Sequence, residues 1–154
     1  MKPWHILCAS FIGLTLFAIG PREAVAGSIT LTIGSPTITF PSANPDTTST
    51  IAASENPISI SVDYPSTGTW VVTMSATSDL IGPSGTIPIS NIHFVGTGVA
   101  DASGTLSDSS EVTLATGGFT SVPEIGTLSF YFDNSWDYPA GTYSTSVVIT
   151  AMSL

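Results

Sequence analysis

Ile58-Ser59-Ile60-Ser61-Val62-Asp63-Tyr64 and Trp70-Val71-Val72-Thr73-Met74-Ser75-Ala76 are the two stretches from which the architecture of this chain can be read. In each, large apolar residues recur at every second position, with mostly polar residues between them. Successive side chains of an extended strand point to opposite faces, so this period of two describes strands with one face toward a core. Leu128, Phe130 and Phe132 alternate with Thr127, Ser129 and Tyr131 in the same way, and the last segment runs Tyr143, Thr145, Val147, Ile149, Ala151. Shorter candidates cover Ile29 to Ile33, Thr37 to Phe40, Ile87 to Val95 and Val112 to Ala115. No segment holds the 3.6-residue spacing of a helix.

Turn chemistry separates the candidates. Asn44-Pro45-Asp46, Tyr64-Pro65-Ser66-Thr67-Gly68, Gly82-Pro83-Ser84-Gly85, Asp101-Ala102-Ser103-Gly104, Gly117-Gly118 and Pro139-Ala140-Gly141 all lie between apolar runs. Proline fixes φ and glycine supplies positive φ, so each cluster ends a strand for a steric reason. Seven to nine short strands with regular turns predict an all-β, immunoglobulin-like antiparallel β-sandwich.

Ahead of this pattern stand Lys2, an apolar run of 14 residues from Ile6 to Ile19, Pro21 and the small-x-small site Ala24-Val25-Ala26. That is the layout of a secretory signal peptide over residues 1–26. The run is shorter than the roughly 20 residues a membrane-spanning helix needs, so cleavage near Ala26 is expected rather than retention as an anchor. Cys8 sits inside the run and not just after it, where lipoprotein processing would put it, and is expected to leave with the leader. Residues 27–154 then form one domain, with 28–34 as an edge strand or a strand for donation.

Cleavage removes Lys2, Arg22, Glu23 and Cys8. Of the 11 acidic residues 10 remain, with no lysine, arginine or cysteine, so the mature chain carries a formal charge of −10. Such a surface repels phosphate backbones and anionic headgroups and speaks against nucleic-acid or membrane-surface partners. Without cysteine there is no disulfide scaffold, and the 128 remaining residues must rely on a hydrophobic core. The expected location is outside the cytoplasm.

Tyr138-Pro139-Ala140-Gly141-Thr142-Tyr143 resembles the Gly-x-Tyr start of a late strand in immunoglobulin-like domains, where the tyrosine hydroxyl bonds back to nearby backbone. Thr145 stands where antibody-type domains have cysteine, which excludes that version. The whole ending, Pro139 to Thr150, is similar to the C-terminal strand of bacterial pilins and spore-coat-U-like secreted proteins. Their short alternating first strand is matched by Ser28-Ile29-Thr30-Leu31-Thr32-Ile33-Gly34. The resemblance implies a non-enzymatic structural subunit of a fimbrial or coat-like surface assembly, with roles in adhesion. Ile29, Leu31 and Ile33 would then pair with a neighbouring copy or another surface subunit by strand addition. Trp70-Val71-Val72 followed by Ile87-Pro88-Ile89-Ser90-Asn91-Ile92 looks like the WxL cell-wall-binding domains. That resemblance implies instead a monomeric module for wall polymer or polysaccharide.

Few residues offer chemistry. His93 is the only histidine after Ala26, no Gly-x-Ser-x-Gly elbow accompanies it, and one imidazole cannot assemble a zinc site. Glycoside hydrolysis, the third function considered, needs two carboxylates, and Asp133 with Asp137 or Glu124 with Asp63 are the pairs on offer. Neither pair lies in a motif, and aspartates in sandwich loops ordinarily build Asx turns, so no catalytic residue and no cofactor are expected. Asp101, Ser103, Asp108 and Glu111 place oxygen ligands close together in sequence and are the candidates for a calcium ion, against a solvated hairpin loop. Trp136 and Tyr138, in an acidic turn, either stack on a sugar or plug the end of the sandwich. Trp70 shares the face of Val72 and Met74 and is read as core. No N-glycosylation sequon occurs.

Overall fold

A computed structural model of the protein describes residues 28–154 and, as backbone, residues 11–19. The Ala24-Val25-Ala26 site and Cys8 lie outside the described residues.

The alternating segments form strands, and the strands form two facing sheets, as the sequence pattern predicts. In chain order they are β1 (Phe11–Ile19), β2 (Thr30–Ile33), β3 (Thr37–Phe40), β4 (Thr50–Ala52), β5 (Ile58–Asp63), β6 (Trp70–Ala76), β7 (Leu80–Gly82), β8 (Gly85–Ile87), β9 (Ile92–Gly98), β10 (Ser103–Thr105), β11 (Val112–Gly117), β12 (Glu124–Asp133) and β13 (Thr142–Ser153). The first sheet runs β11-β6-β13-β1-β3, with the β7–β8 hairpin beside β13. The second runs β10-β9-β12-β5-β2, with β4 also on β12. Among the described residues no helix is long and apolar enough to cross a membrane.

The inward positions of both sheets meet in one core. Ile58, Ile60 and Val62 of β5, Trp70, Val72 and Met74 of β6, Leu128, Phe130 and Phe132 of β12, and Tyr143, Val147 and Ile149 of β13 are all buried. Phe40 of the first sheet meets Phe132 of the second with ring centroids 6.1 Å apart, across the interior. Each such side chain contributes about 1.5–3 kcal/mol by leaving water, which offsets the absence of disulfides. Trp70 is fully buried and donates its indole N–H to the Gly118 carbonyl at 2.7 Å, so its one polar atom is satisfied inside.

The strand count exceeds seven to nine because one expected strand is broken in two and β1, β4, β7 and β10 are added. The run from Ile87 to Val95 ends at Pro88, which has no N–H for a ladder, and a short 3-10 turn, Ile89–Asn91, follows. The Asp79 carboxylate accepts the Ile89 N–H at 2.8 Å and fixes that break. Gly82 and Gly85 pair across the two-residue turn Pro83-Ser84, and Gly85 takes φ +136°, a conformation closed to most side chains.

Candidate functional site

Two neighbouring strands of the first sheet, β3 and β13, do not pair with each other. Between them lies β1, drawn from the expected leader. It runs parallel to β13 through nine residue pairs, from Phe11 beside Thr142 to Ile19 beside Thr150. Along β3 it is antiparallel through four, from Ile12 beside Phe40 to Thr15 beside Thr37. Every other ladder among the described strands is antiparallel. The register sets positions 12, 14, 16 and 18 beside Tyr143, Thr145, Val147 and Ile149, the core-facing residues of β13.

Without residues 11–19, the sheet contains a strand-wide slot. One wall is β13, whose opposite edge pairs with β6 from Val147 to Ser153 and with β7 at Ser144. Its start is fixed by Tyr143, which is buried and donates its hydroxyl to the Pro139 carbonyl at 2.8 Å, the backbone tie expected from Gly-x-Tyr. Thr145 adds a second anchor, donating to the Ser78 carbonyl at 2.9 Å.

The other wall, β3, is held from outside by a loop that the sequence did not single out. The Glu55 carboxylate accepts the Thr39 N–H and the Thr39 hydroxyl, each at 2.7 Å, and the Ser54 N–H donates to the Thr39 carbonyl at 2.8 Å. Neighbouring residues of a strand turn their backbone groups to opposite edges, so Ile38 and Phe40 present theirs to the slot. Burial acts to raise the Glu55 carboxyl, but hydrogen bonds from Thr39 and from its own backbone N–H outweigh it and hold the group below its ordinary value. Next to it, Asn56 donates to the Phe130 carbonyl at 2.7 Å and accepts the Phe130 N–H at 2.8 Å. Because β5 pairs with β12 up to Leu128 and β4 from Tyr131, the Asn56 amide, together with the Ala53 N–H that donates to the Phe130 carbonyl at 3.0 Å, fills the gap between them. Residues 53–57 thus fasten the slot wall to the second sheet. No local signal marks these residues, since partners 16 and 74 positions apart have no sequence period.

Ile29, Leu31 and Ile33 lie elsewhere. β2 pairs with β5 of its own chain, Thr30 beside Asp63 through Ile33 beside Ile60. Ile29 is buried, and Leu31 and Ile33 pack against the same core.

The other candidates are dispersed. Asp101, Ser103, Asp108 and Glu111 are exposed, and among the described residues no three His, Cys, Asp or Glu side chains converge on a metal position. Extended β10 separates Asp101 from Asp108 and Glu111, whose loop is built by Ser107 accepting the Ser109 and Ser110 N–H groups. Trp136 is 57% exposed and donates its indole N–H to Asp46 at 2.8 Å, whereas Tyr138 is half-buried against Phe132 at 6.4 Å. The two rings therefore have different surroundings, one outward and fixed by a carboxylate, one against the core. His93 stacks on Tyr131 at 5.4 Å and lies 3.6 Å from Asp133 on the outer face of the second sheet. Asp137 takes the Ser135 hydroxyl in its own turn. Glu124 sits opposite core-facing Val62, so Asp63, one residue on, belongs to the other face. Its carboxylate accepts from the Thr120 hydroxyl at 3.4 Å.

No protein-family model matches the chain, and no curated protein matches it in sequence.

Proposed function

We propose that this protein is an exported, non-enzymatic structural subunit of a bacterial surface assembly, completed by a β-strand inserted between β3 and β13. The observation that carries this reading is the place of β1: the strand that closes the first sheet comes from the segment expected to be cut away. Removal would leave one edge of β13 from Thr142 to Thr150 and the inner edge of β3 without partners. Unpaired backbone along a core-facing strand is costly, and an incoming strand satisfies it while covering the core between the walls. The acidic, cysteine-free surface and the pilin-like ending support the same reading.

The test is the state of the exported protein recovered from its own cells. Large surface complexes with β13 amides protected from hydrogen exchange are expected. A free monomer whose β13 amides from Thr142 to Thr150 exchange freely would refute it.

A second reading, a polysaccharide-binding module, is favoured by the exposed Trp136 ring held by Asp46. Retention on purified cell walls that Trp136→Ala abolishes would support it; retention that survives the substitution would refute it.

A further inference from the structure

We infer that the strand filling the slot comes from a different polypeptide, because what precedes β2 after cleavage is too short to act as a donor to a second copy. This rests on the strand-addition reading above. The slot takes nine extended residues, the length of β1, or roughly 30 Å of strand. Cleavage after Ala26 leaves Gly27, Ser28 and Ile29 ahead of β2, a reach of about 10 Å. Ile29 is itself 4% exposed in the core and is not free to leave.

Donation would therefore have to use β2, and β2 is committed twice. Four residue pairs join it to β5, and the Gly34 N–H continues that ladder to the Ser59 carbonyl at 2.8 Å. Beyond it, β2 ends at Ile33 and β3 begins at Thr37, so β2 is tethered to a wall of the chain's own slot. Moving β2 into a neighbour would open the edge of β5 and pull on β3 together. An acceptor with a bound first strand fits a partner of another sequence. That partner presents nine extended residues parallel to β13, with apolar side chains beside Tyr143, Thr145, Val147 and Ile149.

The experiment uses the full chain with a site-specific protease sequence inserted after Ala26, so that the leader is cut from the folded protein. The probe is a labelled, lysine-flanked peptide of the sequence Phe11 to Ile19. A control carries aspartate at the positions of Leu14 and Leu16, and a competitor carries the sequence Ser28 to Gly34. The cut chain is expected to stay monomeric in light scattering, to bind the probe one to one and to melt at a higher temperature with it. Setting two aspartates beside the core-facing Thr145 and Val147 should weaken the control at least about 100-fold, and the competitor should not displace the probe. Concentration-dependent multimers that Leu31→Asp abolishes would overturn the inference while leaving strand addition standing. Failure of the probe to bind, with β13 amides exchanging freely, would overturn strand addition itself.

Discussion

Replacing Glu55 with alanine is expected to loosen the β3 wall of the slot, and to do so most where the carboxylate is ionised. Two charge-assisted hydrogen bonds of 2.7 Å, to the Thr39 N–H and hydroxyl, are lost together. Fully buried, such bonds contribute about 1.5–3 kcal/mol each, but Glu55 is half-buried and water replaces part of the loss, so about 1–2 kcal/mol is expected. For a domain of this size that lowers the melting temperature by roughly 3–10 °C at pH 7. The folded-state pKa of Glu55 is held below its ordinary value of 4.5. The unfolded chain therefore binds the proton more readily, and the charge-dependent part of the Glu55 contribution is present above about 4.5 and is lost as pH falls through the lower folded value. Glu55→Gln retains a neutral carbonyl acceptor and should cost less than alanine. The assay is thermal unfolding of the three proteins at pH 7 and at pH 2.5, with amide exchange at Thr39. A gap between wild type and Glu55→Ala that is equal at both pH values, or absent at pH 7, would refute the reasoning.

Asn56→Ala leaves the Phe130 N–H, beside the buried Phe130 ring, without its acceptor and is expected to cost about 1–3 kcal/mol in urea unfolding, with faster exchange of the Phe130 amide. Tyr143→Phe keeps the ring and removes only the bond to Pro139, so a loss of about 0.5–1.5 kcal/mol with unchanged β-sheet circular dichroism is expected. Gly98→Ala places a side chain at φ +66°, against the Ile125 carbonyl and the Gly126 backbone, and should destabilise by about 1–3 kcal/mol. Trp136→Ala removes an exposed ring and should change stability by less than about 0.5 kcal/mol, which makes it a clean probe of polysaccharide retention.

The sequence by itself determined the longer strands and which side of each faces inward. Ile58 to Val62, Trp70 to Ala76, Leu128 to Phe132 and Tyr143 to Ala151 alternate because a strand presents its faces with a period of two, and that period is written locally. The interior Trp70 and the Tyr143 corner follow from neighbours within a few residues, and both are where the pattern puts them. Two facing sheets follow from strands with one apolar face each. Pairing is not local. Only the tertiary structure placed β2 on β5, left β3 and β13 unjoined, set β1 between them in parallel, and brought Glu55 and Asn56 to their distant partners. The apolar run from Ile6 to Ile19 illustrates the difference, since it reads as a leader in the sequence while its residues Phe11 to Ile19 form a strand in the fold. Alternation fixes a residue's face, but which edge meets which is decided by the packing of the whole core and by backbone groups that must all find partners.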